Sequence, residues 1–195
     1  MTVLAIGSHP DDIELGCGGT LLKLREDDVS VHMLILTPGS TPQDRMSEQK
    51  EAAEIIGATY TVGGLPDTCV EIRTAIALIE NTIRDHGVTH VFTHSPNDTH
   101  QDHRVVADAT VSACRDRGNV LFYEGYSSRC FNPLMFVDIE AQLARKTAAV
   151  KAHQSQFDST LIQGYVHACA AFRAHRLPYS AVEGFIPWNL MWNLL

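Results

Sequence analysis

The sequence predicts an α/β fold, a single domain in which a mostly parallel sheet is flanked by helices. Short apolar runs alternate with helical segments from the first residues to about position 123, and this alternation is typical of a doubly wound sheet. The chain has 195 residues, a length suited to one domain with a substantial core. We therefore expect one domain that spans residues 1–195.

Each element is predicted from its periodicity and from the turn residues beside it. Glycine follows two of the helices, at positions 57 and 87, as expected beyond a last helical turn. The predicted strands are 3–7, 29–37, 58–62, 88–93, 120–123 and 136–139. The predicted helices are a first one that ends near 25, then 45–56, 71–86, 104–116, 141–153 and 161–175. Residues 177–195, with two prolines and both tryptophans, are expected to pack as a C-terminal arm or to contact another subunit.

Composition excludes several classes of protein. The formal net charge of -8 argues against a nucleic-acid binder, which would normally carry a basic face. No apolar run is long enough to span a bilayer, so we expect no membrane partner. Five cysteines without paired spacing fit reduced thiols, and the first residues show no basic leader. We therefore expect a cytoplasmic protein.

Polar side chains are concentrated directly after two of the predicted strands. His9, Asp11, Asp12 and Glu14 follow the first strand, and a loop with several histidines and aspartates, residues 94–103, follows the fourth. Loops at the carboxyl ends of strands are where open α/β sheets bind their ligands. An imidazole and three carboxylates gathered at such a point indicate a metal ion.

The first loop offers His9 and Asp12 as metal ligands, and the second offers His100 and His103, of which only one needs to bind. His9, Asp12 and His103 make a metal set of the expected kind. Catalytic zinc usually takes three protein ligands of the histidine and carboxylate type and keeps one position for water. The metal would lower the pKa of that water to roughly 7, so that it could attack an amide carbonyl.

Three neighbouring residues are expected to complete the chemistry. Asp11 is next to Asp12 and cannot readily bind the same face of the metal, so we expect it to act as general base. His100 is expected to stabilise the developing oxyanion or to protonate the leaving amine. Asp102 is expected to hold His100 in the required tautomer.

Simpler interpretations exist for the same residues. Asp11 or Asp12 could cap the following helix, and the glycine-rich residues 16–19 could belong to a dinucleotide-binding fingerprint. That fingerprint fails on spacing, because its third glycine would fall at Leu21. We expect these glycines to let the backbone approach the metal loop closely. His94 and His153 remain undecided, and no partner is expected for the histidines at positions 32, 86, 90, 167 and 175.

Two stretches resemble a known family, the PIG-L/LmbE-like deacetylases. Residues 8–14 and 16–21 are similar to the family's (A/S)HPDD-x-E-x-G-x-GGT-L motif, and residues 96–103 to its PND-x-H-x-DH motif. Weaker similarities follow at 45–57, at 137–156 and at 181–185, where this chain has one extra residue. The resemblance covers nearly the whole chain.

The resemblance implies a Rossmann-like, zinc-dependent hydrolase that removes acetyl groups from N-acetylglucosamine-type sugars. Its motifs place the same roles on the same residues and add Arg45, which would bind a sugar hydroxyl or an attached phosphate. Fe²⁺ would also suit these ligands. Some members contribute a tyrosine to the oxyanion site, and the sequence does not choose among the tyrosines at 123, 126, 165 and 179.

The favoured hypothesis is therefore a metal-dependent N-deacetylase acting on a small amino-sugar conjugate. Alternatives are a hydrolase of another amide in an antibiotic or thiol pathway, a non-catalytic metal- or sugar-binding relative, and a nucleotide-binding oxidoreductase. Asp11, which a simple metal site would not need, speaks against the non-catalytic alternative. The C-terminal aromatic residues are compatible with a homo-oligomer.

Overall fold

A seven-stranded sheet organises the protein. The structure is a computed structural model that describes residues 1–190. The strands are β1 (Thr2–Gly7), β2 (Ser30–Ile35), β3 (Thr59–Val62), β4 (His90–His94), β5 (Val120–Tyr123), β6 (Met135–Asp138) and β7 (Val182–Asn189). The helices are α1 (Asp12–Glu26), α2 (Pro42–Ile56), α3 (Ile72–His86), α4 (Gln101–Ala113), α5 (Leu143–Lys151) and α6 (Ser159–Ala174). The strand order β3-β2-β1-β4-β5-β7-β6, with the first five strands parallel, confirms the predicted mostly parallel sheet.

The central strand β1 is buried on both faces. Val3 and Ala5 pack in a core with residues of α1 and α2, whereas Leu4 and Ile6 pack in a second core with residues of α3 and α4. Continuous apolar strands of this kind are characteristic of parallel sheets covered by helices on both sides. The alternation of the two cores along one strand explains why the run carries no polar residue.

The adjacency of β1 and β4 determines where the two polar loops meet. Both strands run in the same direction, with Ala5 opposite Phe92. Because the carboxyl ends of parallel neighbours lie at one edge of the sheet, the segments that follow Gly7 and His94 emerge side by side. The strand order therefore joins segments that are more than 80 residues apart in sequence.

The helix boundaries agree with the predicted ones to within a few residues. Gly57 ends α2 with φ of 80° and Gly87 ends α3 with φ of 58°, left-handed values that glycine adopts without a steric cost. Three helices start earlier than predicted, α2 at Pro42, α4 at Gln101 and α6 at Ser159. Within residues 1–190 no helix combines the length and the apolar character that crossing a bilayer requires.

The predicted C-terminal arm is wrong for residues 182–189, which belong to the sheet. Residues 182–189 form β7, which pairs antiparallel with both β5 and β6. Gly184 and Pro187 lie within this strand, and because both residue types are unusual inside strands, the sequence pattern did not indicate one here. The proline is tolerated because the pairing register shifts beside it, between Val120 and Leu121, and prolines within sheets are confined to edges and such irregularities. Trp192 lies outside the described residues.

Two of the three glycines of α1, Gly16 and Gly19, allow close packing against Tyr123 and Ile139, not the approach to the metal loop that the sequence suggested. A Cβ on Gly16 would lie 2.1 Å from the ring of Tyr123, which is fully buried on β5. The Tyr123 hydroxyl donates to the carbonyl of Ile6 at 2.8 Å, so the ring is held in place. A Cβ added to Gly18, two residues later, would make only ordinary contacts, the nearest with Lys146 Cγ at 3.7 Å.

We predict that Gly16→Ala destabilises the fold and that Gly18→Ala does not. The first change forces a methyl group into the Tyr123 ring and should cost about 1–3 kcal/mol in free energy of unfolding. The second should be neutral or stabilise the helix by up to about 1 kcal/mol. Urea unfolding of both variants tests the difference, and equal midpoints for the two would contradict the packing role of Gly16.

Candidate functional site

The loop after β1 turns two adjacent carboxylates toward different partners. Asp11 is the N-cap of α1 and has φ of 101°, a strained value for a residue with a side chain that costs on the order of 1–3 kcal/mol. Its Oδ2 accepts a hydrogen bond from Arg45 Nη2 at 2.9 Å. Asp12 is the first residue of α1, and its Oδ2 accepts from the backbone N–H of His9 at 2.7 Å. The two side chains can therefore have separate roles.

Asp12 lies at the centre of a buried group of histidines. Its Oδ1 is 3.4 Å from His103 Nε2, and its Oδ2 is 3.4 Å from His9 Nδ1 and 3.2 Å from His94 Nε2. Burial alone would raise the pKa of Asp12, but the three imidazoles outweigh it and hold that pKa well below its usual value. The site therefore presents an ionised carboxylate between imidazoles from both loops.

Three overlapping groups of side chains could hold a metal ion within residues 1–190. In each group the ligand atoms lie within 4.8 Å of one another. The groups are His9, His100 and His103; Asp12, His94 and His103; and His9, Asp67 and Asp102. The predicted set of His9, Asp12 and His103 takes its members from the first two. Imidazole and carboxylate donors in this number match the ligand chemistry of a catalytic zinc site, so the residues present fit a divalent metal.

His94 was left undecided from the sequence and is fully buried beside Asp12. Its Nε2 accepts a hydrogen bond from the backbone N–H of Ser8 at 3.0 Å, which occupies the lone pair that a metal would need. Burial and the neighbouring His103 lower the pKa of His94 to about 4, so the ring is neutral. These contacts favour a structural role for His94, in support of the loop after β1.

His103 is oriented by a carboxylate that the sequence analysis left without a role. Asp98 Oδ1 lies 3.2 Å from His103 Nδ1 and also accepts a hydrogen bond from Ser127 Oγ at 2.6 Å. Burial would raise the pKa of Asp98, but hydrogen bonds from His103, Ser127 and the backbone of His100 keep it below its usual value. With Nδ1 held in this way, Nε2 points at Asp12. The position of Asp98 in the loop after β4 was the signal that could have identified it.

Asp102 orients His9, and this differs from the expected support of His100. Its Oδ2 lies 3.3 Å from His9 Nε2 and accepts from the backbone N–H of Thr68 at 2.8 Å. Asp67, on the loop after β3 and also without a role in the sequence analysis, lies 3.1 Å from the same His9 nitrogen. Burial would lower the pKa of His9, but Asp12, Asp67 and Asp11 together raise it to about 9.

His100 is placed at the start of α4 by its own hydrogen bond. Its Nδ1 accepts from the backbone N–H of Asp102 at 3.2 Å, which makes His100 the cap of the helix. Because Nδ1 acts as acceptor, the neutral ring carries its hydrogen on Nε2. Burial and the neighbouring His103 lower the pKa of His100. The backbone of Asp102, and not its carboxylate, therefore sets the tautomer of His100.

Asp11 has a raised affinity for protons. Burial and the adjacent charge of Asp12 raise the pKa of Asp11 to about 7, although Arg45 opposes the shift. Arg45 is itself buried, and the same nitrogen that contacts Asp11 donates to the carbonyl of Pro10. The guanidinium therefore positions Asp11, and its expected contact with substrate remains a prediction.

A second polar layer lies behind this loop. Glu14 is fully buried, its Oε1 accepts from Gln49 Nε2 at 2.8 Å, and it lies 3.5 Å from His153 Nε2. His153, undecided from the sequence, is thus placed behind Asp11 and not in the cleft. Burial would lower its pKa, but the charges of Glu14 and Asp11 raise it. This layer couples α1 to α2 and to the end of α5.

The open cleft in front of the site measures about 320 Å³. His9, Asp11, Asp12, Arg45, His100 and His103 line it together with Asp67, Tyr126, Ser127 and others. Asp102 and Asp98 stay behind the histidines they orient. Of the four tyrosines considered from the sequence, Tyr126 lines this cleft, while the hydroxyl of Tyr123 is committed to the carbonyl of Ile6. Tyr126 is thus the tyrosine that can approach a ligand here.

The sequence is similar to a known family and to named relatives. The family model described as PIG-L, GlcNAc-PI de-N-acetylase, matches residues 4–114. The uncharacterized deacetylase YaiS of Escherichia coli (strain K12) is 34% identical over 167 residues, covering 78% of this chain and 90% of YaiS. The diacetylchitobiose deacetylase of Thermococcus kodakarensis is 28% identical over 222 aligned positions, covering 95% of this chain and 83% of that protein.

The architecture is shared with solved structures as well. The conserved protein TT1542 from Thermus thermophilus has a TM-score of 0.89 and 28% sequence identity, over 98% of this chain and 96% of that one. The matched residues 4–114 include both polar loops and the helices that follow them. The chain therefore belongs to the PIG-L family of GlcNAc-PI de-N-acetylases.

Proposed function

We propose that this protein is a metal-dependent hydrolase that removes the N-acetyl group from an N-acetylglucosamine-type sugar conjugate. One observation carries the proposal: Asp11 faces the same cleft as the candidate ligands but is held by Arg45, apart from the metal set. A site that only bound a metal would not need such a carboxylate. The family's description and the names of relatives called deacetylases support the same reaction class.

The proposed metal set is His9, Asp12 and His103, with Zn²⁺ as the favoured ion and Fe²⁺ as the alternative. His9 is preferred to His94 because the Ser8 N–H occupies His94 Nε2. The two proposed histidine ligands each contact a carboxylate through the other ring nitrogen, Asp102 for His9 and Asp98 for His103, as metal-binding histidines generally do. When bound, the metal supplies Lewis-acid activation of water and of the amide carbonyl.

Asp11 is proposed as the general base. Its carboxylate accepts the proton that water loses as it attacks the acetyl carbonyl, and a base with a pKa near the working pH suits that task. Arg45 fixes the orientation of the carboxylate through a hydrogen bond of 2.9 Å. The proton that Asp11 accepts is then available to the leaving amine.

His100 is proposed as the oxyanion or acid partner. Its Nδ1 is occupied by the backbone of Asp102, so Nε2 carries the hydrogen and can donate to the carbonyl oxygen as negative charge develops there. Donors aimed at the developing charge contribute strongly to acyl-transfer reactions in water-poor sites. Asp102 is proposed to act through His9, as a positioning residue.

The substrate is proposed to be a small amino sugar, which enters the cleft with its acetamide toward Asp11 and His100. Asp67 and Tyr126 line the same cleft and can contact sugar hydroxyls. Release of acetate from N-acetylglucosamine glycosides and from N,N′-diacetylchitobiose, assayed on the metal-loaded protein, tests the reaction. Release of another acid, from a different amide, would favour the alternative hydrolase.

Asp11→Asn should lower turnover by roughly 10²–10⁴-fold, the usual contribution of a general base, while metal content stays unchanged. Asp44→Asn provides a control, because Asp44 is exposed and precedes Arg45 on the same helix. Acetate release and metal content are measured on the same preparations. Full activity in Asp11→Asn would show that another group accepts the proton.

His103→Ala should lose the metal. Removing one of three ligands leaves a site too weak to retain a stoichiometric ion through dialysis. Elemental mass spectrometry of the wild-type protein, His103→Ala and the exposed-residue control His175→Ala gives the comparison. One metal per chain retained in His103→Ala with native affinity would make the proposed ligand set wrong.

Asp98→Asn should weaken metal binding by about 10–100-fold, the usual effect of removing a carboxylate that orients a ligand histidine. Asp108→Asn is the matched control, since Asp108 is exposed on α4. Competition with a metal chelator measures the affinity of both variants. Unchanged affinity in Asp98→Asn would remove the orienting role from this carboxylate.

A further inference from the structure

A second open lobe continues the catalytic cleft toward α6. It measures about 370 Å³, and ligand pockets typically measure roughly 300–1,000 Å³. Tyr126, Gln156 and Phe157 line both this space and the catalytic cleft. We call this second space the α6 lobe. Its shared wall places the lobe directly beside the catalytic cleft, within reach of a substituent on a ligand bound there.

The far wall of the α6 lobe is apolar. Leu161, Ile162 and Tyr165, all on α6, complete it. Leu161 is 76% exposed, and Tyr126 is 66% exposed. The ring of Tyr126, which lines both spaces, lies 4.9 Å from the ring of Tyr165 in a tilted arrangement, so two aromatic rings lie together in the lobe.

Two polar atoms of the α6 lobe, Asp158 Oδ1 and Gln156 Nε2, are committed to hydrogen bonds within the protein. Asp158 caps α6, and its Oδ1 accepts from the backbone N–H groups of Thr160 and Leu161 at 2.9 and 3.0 Å. Gln156 Nε2 donates to Ser155 Oγ at 2.9 Å. A sugar ring in this space would have to give up water at several hydroxyls for few replacement partners, which is unfavourable.

The shared wall is anchored to the rest of the fold. Ser155 donates through its backbone N–H and its hydroxyl to Glu48 of α2, both at 2.7 Å. These contacts fix the α5–α6 connection, and with it Gln156 and Phe157, against the helix that also carries Arg45. The α6 lobe is therefore held at a fixed position relative to the proposed catalytic residues.

We infer that the α6 lobe binds an apolar, ring-bearing substituent of the amino-sugar substrate. The inference rests on the proposed function, and it makes the substrate a glycoside or conjugate with an aromatic or aliphatic ring beyond the sugar. Aromatic side chains contribute both buried area and edge-to-face contacts to such a group. Leu161, at the lip of the lobe, is the residue that distinguishes apolar from polar substituents.

The test compares the methyl and benzyl glycosides of N-acetylglucosamine with N,N′-diacetylchitobiose. We expect kcat/KM for the benzyl glycoside to exceed that for the methyl glycoside by about tenfold, from partial burial of one aromatic ring. N,N′-Diacetylchitobiose, which places a second sugar in the lobe, should gain less than the benzyl glycoside. A larger gain for the chitobiose, or no gain for the benzyl glycoside, would overturn the inference.

Leu161→Gln should lower the ratio of kcat/KM between the benzyl and methyl glycosides by about fivefold, because a polar side chain replaces apolar contact area. The variant should fold, since Leu161 is the third residue of α6, where glutamine is a favourable partner of an N-cap. Phe172→Gln is the matched control. Phe172 is 69% exposed on nearly the same face of α6 but three turns away, outside both spaces. An equal loss in both variants would contradict the role of Leu161.

A binding measurement separates this inference from the proposed function. Calorimetry with the benzyl and methyl glycosides of glucosamine, which carry no acetyl group, measures occupancy of the lobe without turnover. The lobe would be supported if the benzyl glycoside bound more tightly than the methyl glycoside, and if Leu161→Gln but not Phe172→Gln weakened that binding. This outcome would support the lobe even if no acetate were released from any substrate. Equal affinities in an enzyme that releases acetate would overturn the lobe and leave the deacetylase intact.

Discussion

The carboxylate of Asp12 joins the two halves of the site. It accepts the backbone N–H of His9 from its own loop and lies within 3.4 Å of His94 and His103 from the loop after β4. These contacts are available only because β1 and β4 are parallel neighbours, so that their carboxyl ends share one edge of the sheet. The remaining polar groups of the cleft are arranged around these contacts of Asp12 with the two loops.

Around it, two of the candidate metal-binding histidines, His103 and His9, each have a carboxylate partner of their own. Asp98 holds His103 and is itself held by Ser127, while Asp102 holds His9 and accepts a backbone hydrogen bond from Thr68. Partners of this kind fix the tautomer and the direction of an imidazole. The rings are therefore oriented by the fold before any ligand binds, which reduces the cost of ordering them.

Two adjacent aspartates face different partners, and the backbone at the first of them is strained. With φ of 101°, Asp11 turns toward Arg45 while Asp12 faces the histidines. Behind them, Glu14 adds a further buried carboxylate that is balanced by Gln49 and His153. A site this rich in carboxylates is stable where cationic partners are close, and these are Arg45 and the imidazoles of His9, His103 and His153, whose pKa values are raised.

The sequence alone predicted the first five strands, their parallel arrangement and the two polar loops that follow β1 and β4. Apolar runs and glycine stops report local structure, and residues such as His9 and His103 could be grouped because successive parallel strands point their carboxyl ends the same way. The family motifs then indicated the chemistry. Residues 182–189 were missed as a strand because a glycine and a proline hide a pairing that depends on partners distant in the chain.

Which carboxylate orients which histidine was decided only by the tertiary structure. Asp102 is two residues from His100, and proximity in sequence suggested that pair, yet its side chain contacts His9, 93 residues away. Asp67 was likewise not identifiable as a site component, because nothing local distinguishes it from an ordinary loop residue, and the contact of Asp98 with His103 was not evident although Asp98 lies in the loop after β4. Sequence spacing determines which residues can lie at one edge of a sheet. The direction of each side chain is selected by hydrogen bonds and packing between distant segments, which exist only in the folded chain.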